Sequence, residues 1–101
     1  MANRYKNDTG FLIIEMDYKE ATEICEFGFQ PIRGINEIVC DNCNSVINED
    51  EKIYYFSVLN RAMCKECCDD IIANQTRYPE DIPYEKRHYN FYAKRLNLEE
   101  V

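Results

Sequence analysis

One histidine, three glycines, three prolines and no tryptophan occur in the 101 residues of this sequence. A single histidine leaves little material for general-base catalysis or for a histidine-rich metal site. With glycine and proline this scarce there is no low-complexity tract, no linker and no internal repeat, so residues 1–101 read as a single domain. No run of eighteen or more apolar residues is present, which excludes a helix that spans a bilayer, so no membrane partner is expected. The opening MANRYKNDTG lacks the apolar core and small-residue cleavage site of a signal peptide. The expected location is the cytoplasm, where thiols are kept reduced. These first ten residues are polar and are expected to be frayed. Positive charge is also in deficit: twelve lysines and arginines face nineteen aspartates and glutamates, a net charge of −7. A field of that sign repels nucleic acid at long range and favours a protein partner with a basic surface.

Against these shortages stand eight tyrosines, five phenylalanines and six cysteines. The aromatic content supplies a core and sets the chain apart from disordered sequences. Five of the six cysteines fall in two short runs, CDNC at 40–43 and CKECC at 64–68. In a reducing compartment such pairs point to metal rather than to disulfides. A two-residue spacer lets a tight turn aim both sulfurs at one ion, with backbone N–H groups donating to them, and two such turns furnish a Cys₄ tetrahedron. Zinc is the expected cofactor. Cys40 and Cys43 form the first clamp and Cys64 with Cys67 the second, although Cys68 in place of Cys67 is a second possible register. Four thiolates around one dication take the net charge to about −9.

The remaining pattern predicts an α+β domain. FLIIEMDY alternates, with Leu12, Ile14, Met16 and Tyr18 on one side and Glu15 and Asp17 on the other, the period of a half-buried strand. Asp17 and Glu20 have the form of a capping box that starts a short helix over 18–27, with Cys25 on its apolar stripe and Gly28 at its stop. FQPIRGIN is a turn-rich crossing that leads through EIV into the first cysteine pair. Between the pairs lie an acidic turn at 48–51, a β-rich run from Ile53 to Leu59 and a second turn at Asn60-Arg61. A helix begins at the second pair and ends at Tyr78-Pro79, PEDIP bridges, and an amphipathic helix occupies 84–98. Its wheel places Tyr84, His88, Phe91, Tyr92, Arg95 and Leu96 on one face, with Lys86, Asn90, Lys94 and Asn97 opposite. His88 reads as a packed, hydrogen-bonded residue, and Cys68 as a small apolar group beside Ile71 and Ile72.

The order of a cysteine knuckle, a β-hairpin and a CxxC opening a helix, over residues 38–77, resembles the treble-clef group of zinc fingers, which includes LIM-type and RING-like half sites. That resemblance implies Cys40, Cys43, Cys64 and Cys67 as the ligands and leaves Cys68 over. The group also contains HNH-type nucleases, but their histidine ligands and histidine base have no counterparts here, so no enzyme is expected. In general character the chain is similar to small acidic proteins of phages and mobile elements, some of which block host nucleases as anti-CRISPR proteins do. The expected role is therefore a zinc-stabilised, acidic protein-interaction module or inhibitor. The alternative is nucleic-acid binding through the basic and aromatic stretch YEKRHYNFYAKRL. Glu15, Asp17, Glu20, Glu23, Glu26, Glu49, Asp50, Glu51, Asp69 and Asp70 are the candidates for an acidic face.

Overall fold

The apolar run at 11–16 becomes the inner strand of an antiparallel sheet in the computed structural model, which describes residues 2–24 and 38–101. Strand β1 (Asn3–Arg4) pairs with β2 (Ile13–Met16). Helix α1 (Tyr18–Ile24) follows directly, and the short strands β3 (Ile38–Val39) and β4 (Val46–Ile47) pair with each other around the first cysteine run. Strand β5 (Ile53–Phe56) pairs with β2 on one side and with β6 (Arg61–Met63) on the other. The sheet order is thus β1-β2-β5-β6. Helix α2 (Lys65–Asn74), a 3₁₀ turn (Pro79–Asp81) and helix α3 (Ile82–Arg95) complete an α+β domain.

Strand β5 is buried at all four residues, which a strand with one solvated face could not be. Consecutive side chains point to opposite faces. Tyr54 meets Tyr5 edge to face at 4.9 Å, and the Tyr5 hydroxyl donates to Asp69 of α2 at 2.7 Å. Its neighbour Tyr55 packs on Tyr92 of α3 at 4.6 Å. Helices α2 and α3 therefore cover opposite faces of the sheet, and both faces of the inner strands are dry. This corrects the half-buried reading of FLIIEMDY: Phe11, Leu12, Ile13, Ile14 and Met16 are all buried, so Ile13 on the supposedly polar side is core.

Two further boundaries move. The first ten residues, expected to be frayed, contain β1, and Tyr5 N–H continues its ladder to the Ile13 carbonyl at 2.8 Å. Backbone pairing needs no apolar side chains, so a polar edge strand leaves no hydrophobic period to detect. The capping box forms as expected: Glu20 N–H donates to Asp17 Oδ1 at 2.8 Å and Asp17 N–H to Glu20 Oε1 at 3.0 Å. Its helix is described as far as Ile24; the expected stretch to residue 27, with Cys25, Glu26 and the FQPIRGIN crossing, lies outside the described residues.

Helix α3 starts at Ile82 rather than Tyr84, because Pro83 fits the first turn, where its missing N–H costs nothing. Its inner face is also not the one expected. Glu85, Tyr89, Tyr92 and Ala93 are buried, whereas Tyr84 and Phe91 are exposed. Glu85 is the cause. Its Oε2 accepts the Leu12 N–H at 3.0 Å and the Arg77 Nη1 at 2.9 Å, while Arg77 Nη2 makes a charge contact with Oε1 at 2.8 Å without hydrogen-bond alignment. The Arg77 guanidinium also lies 5.5 Å from the Phe11 ring centroid. A carboxylate so paired can face the core, and it turns Tyr89 and Ala93 inward with it.

Removing one partner of such a pair leaves an uncompensated buried charge. Arg77→Ala should cost about 3–5 kcal/mol in urea unfolding, and an unchanged midpoint would contradict this seating of α3. A second expectation concerns pH. The Glu20 backbone N–H holds the Asp17 carboxyl below its ordinary value. A depressed folded value means stability present above about pH 4 and lost as the pH falls through that lower value. Asp17→Asn, which still caps, should flatten the acid side of the stability profile measured by chemical denaturation.

Candidate metal centre

Strand β3 delivers Cys40 at its end, and the chain then reverses within the knuckle before β4 carries it away. Cys40 N–H donates to the Ser45 carbonyl at 2.9 Å, and Asn44 N–H to the Cys40 carbonyl at 2.9 Å. Asn44 takes the left-handed corner at φ 63°, a conformation asparagine tolerates better than most side chains. Asn42 N–H and Cys43 N–H approach Cys40 Sγ at 3.4 and 3.5 Å. Backbone N–H groups aimed at a sulfur are the contacts that orient a metal-ligating side chain.

The second clamp lies at the junction of β6 and α2. Cys64 is the N-cap of α2 in an extended conformation, and Cys67 occupies the first turn. Both sulfurs stand at the positive end of the helix dipole, which favours thiolates. The first i→i+4 bond runs from Cys68 N–H to the Cys64 carbonyl at 3.0 Å. Cys68 itself turns into the core at 0% exposure, and burial pushes its thiol up to about 12, as an inert core cysteine requires.

Asp41 brings the clamps together. Its backbone N–H donates to the Ala62 carbonyl at 2.8 Å, and its Oδ2 accepts the Ala62 N–H at 3.0 Å. Ala62 sits in β6, the last strand of the sheet, so Asp41 satisfies that open edge in place of a further strand. Knuckle and edge are thereby fastened two residues before Cys64. Ile38, Cys40 and Ile47 join the same core cluster as Ile13, Ile53 and Phe56, which fixes the knuckle from its other side.

The sulfurs of Cys40, Cys43, Cys64 and Cys67 consequently all lie within 4.8 Å of one another, with Cys43 and Cys64 at 4.0 Å. A tetrahedral zinc–thiolate site at the usual bond length has sulfurs about 3.8 Å apart. A disulfide needs about 2.05 Å, and none joins these cysteines. The four residues fit one metal ion. Cys40 is buried, Cys64 and Cys67 are half-buried and Cys43 is exposed.

The surroundings of the bare thiols act on them in opposite directions. The Ser45 side chain and backbone N–H draw Cys43 down to about 6. At Cys67 the Asn42 side chain pulls downward, but burial and the thiols of Cys43, Cys64 and Cys40 outweigh it and push the group up to about 12. Burial also raises Cys64, against the Cys67 backbone N–H. Four sulfurs this close cannot all ionise alone; a dication at their centre removes that conflict.

Other sequence candidates separate. His88 Nδ1 lies 2.8 Å from the Ser57 carbonyl, a packed ring nitrogen remote in sequence from the knuckle. Glu15 accepts the Tyr54 hydroxyl at 2.7 Å, while Asp17 and Glu20 serve the capping box, so these acids have internal duties. Glu51, Glu66, Asp69 and Asp70 do converge, lining an open groove of about 1090 Å³ beside Cys43, Cys64 and Cys67, with Lys65 and the exposed Val46. Asp41 is the residue that the sequence did not disclose. An aspartate between two cysteines carries no signal beyond solubility until the edge strand it caps is known.

Asp41→Ala should leave all four cysteines in place yet weaken metal binding by about tenfold, as loss of a supporting contact around a metal site does. Competition with a chromophoric chelator measures this, and an affinity equal to that of the parent chain would show that the edge contact does not position the knuckle.

The chain matches no protein-family model, no curated protein and no solved structure.

Proposed function

We propose that this chain is a protein-interaction module whose fold is locked by one structural zinc ion at Cys40, Cys43, Cys64 and Cys67, and which offers the acidic groove beside that site to a basic partner surface. The convergence of four sulfurs from two chain segments within 4.8 Å carries the reading. The succession of knuckle, hairpin and helix supports a treble-clef assignment for this part of the domain. Four protein thiolates complete a tetrahedron and leave no position for water or substrate, so the bound ion cross-links rather than catalyses.

Glu51, Glu66 and Asp70 give the groove its sign, Asp69 being paired with Lys65 at 2.6 Å, and a zinc tetrathiolate adds about two further negative charges. Clustered carboxylates can occupy a cleft that ordinarily holds phosphates and can speed encounter through long-range attraction. A protein whose basic groove serves nucleic acid is the partner class this chemistry fits, and occupation of that groove would inhibit it, in the manner of an anti-CRISPR protein. No helix of the described residues is long and apolar enough to cross a membrane.

Two measurements test the parts separately. Chelation, or Cys64→Ser, should abolish the cooperative unfolding transition followed by circular dichroism, since metal-binding energy is folding energy in domains of this size. Glu66→Lys with Asp70→Lys, both exposed in α2, should keep that transition and the bound metal but abolish salt-sensitive binding to an oligoarginine probe. Undiminished binding by the double variant would remove the groove from the proposal while leaving the metal site standing.

A further inference from the structure

The outer face of α3 carries chemistry opposite in sign to the groove. Tyr84 is 57% and Phe91 41% exposed, high values for large rings. Each is covered by an arginine: Arg87 Cζ lies 5.2 Å from the Tyr84 centroid, and Arg95 Cζ 3.6 Å from that of Phe91. At 3.6 residues per turn, Tyr84, Arg87, Phe91, Lys94 and Arg95 fall within an arc of about 100°, directly opposite the buried stripe. Every exposed charged residue between Ile82 and Arg95 is basic: Lys86, Arg87, Lys94 and Arg95. The sequence wheel set Arg95 with the aromatics and Lys86 and Lys94 opposite them, whereas the folded helix brings Arg87 over Tyr84 and Arg95 over Phe91.

We propose that this stripe is a docking surface for single-stranded nucleic acid, independent of the groove and of its proposed basic partner. Charge complementarity selects an anion. The flat platforms select among anions, because guanidinium planes and ring faces alternating along a helix match a ligand that alternates phosphates with planar bases. Duplex bases are already stacked on each other and cannot use these rings. An acidic polypeptide supplies the charge but no repeating plane. The chain's overall acidity does not cancel the patch: α2 and its carboxylates lie on the other face of the sheet, and beyond roughly 8 Å exposed charges are screened at physiological ionic strength. Glu80 and Asp81 before the helix and Glu99 and Glu100 after it bound the footprint to its length. Arg95 Nη1 also donates to the Phe91 carbonyl at 2.6 Å, which fixes its plane over the ring before any ligand arrives.

The test is fluorescence anisotropy of labelled oligo(dT) and oligo(U) with the metal-loaded full chain over a series of salt concentrations. Saturable binding of either strand that weakens as salt rises is expected, with a duplex of the same length bound less tightly. Arg87→Ala and Arg95→Ala should each lower the slope of log K against log salt by about 0.7. Tyr84→Ala and Phe91→Ala should each weaken binding by about tenfold while metal content and circular dichroism stay those of the parent. Absence of saturable binding at low salt overturns the proposal. So does binding that survives loss of both rings, or equal competition by polyglutamate, which would assign the stripe to an acidic polypeptide.

Discussion

A hydrogen-bonded pair of groups on Asp41 and Ala62 is the constraint on which the rest of this structure turns. The knuckle at 40–43 and the helix start at 64–67 are separate pieces of chain, and each can aim two sulfurs by local geometry alone. What makes them one site is that the open edge of β6 needs a partner, and Asp41 supplies both an N–H and a carboxylate to it. Buried backbone groups at a sheet edge are costly to leave unmet. The same contact therefore closes the sheet and sets the separation of the sulfurs.

The sheet in turn explains why the molecule has two sides of different character. Strands β2 and β5 are covered on both faces, so α2 and α3 must lie on opposite sides, each with its outer surface in water. Helix α2 begins at the second cysteine clamp and carries Glu66, Asp69 and Asp70. Helix α3, seated by the buried Glu85–Arg77 pair, presents its cations and two rings. An acidic composition is thus not spread evenly. Sequence totals averaged a negative end and a basic stripe into a single number.

Much of the site was legible in the spacing of the cysteines, because two-residue spacers and a helix start are local features. The capping box at Asp17 and Glu20 and the turns around β5 were legible for the same reason. Features that depend on distant partners were not. Strand β1 is polar and has no period to read, and Ile13, which shares the face of Phe56 and Tyr54, looked solvent-facing because the helix on that side, α2, does not begin until Lys65. The inward turn of α3 was hidden by Glu85, a charge that can be buried only because Arg77 and the Leu12 N–H meet it. Asp41 belongs to this second group: its importance resides in the strand edge, not in its own neighbours.

Native mass spectrometry of the protein purified under reducing conditions, without added metal, reads out whether one ion joins the two cysteine clamps. One zinc ion per chain is expected, lost together with the compact charge-state distribution when the solution is acidified enough to protonate the thiols. A chain that is compact yet carries no metal, or one whose mass shows Cys40, Cys43, Cys64 and Cys67 oxidised to disulfides in its active form, would contradict that expectation.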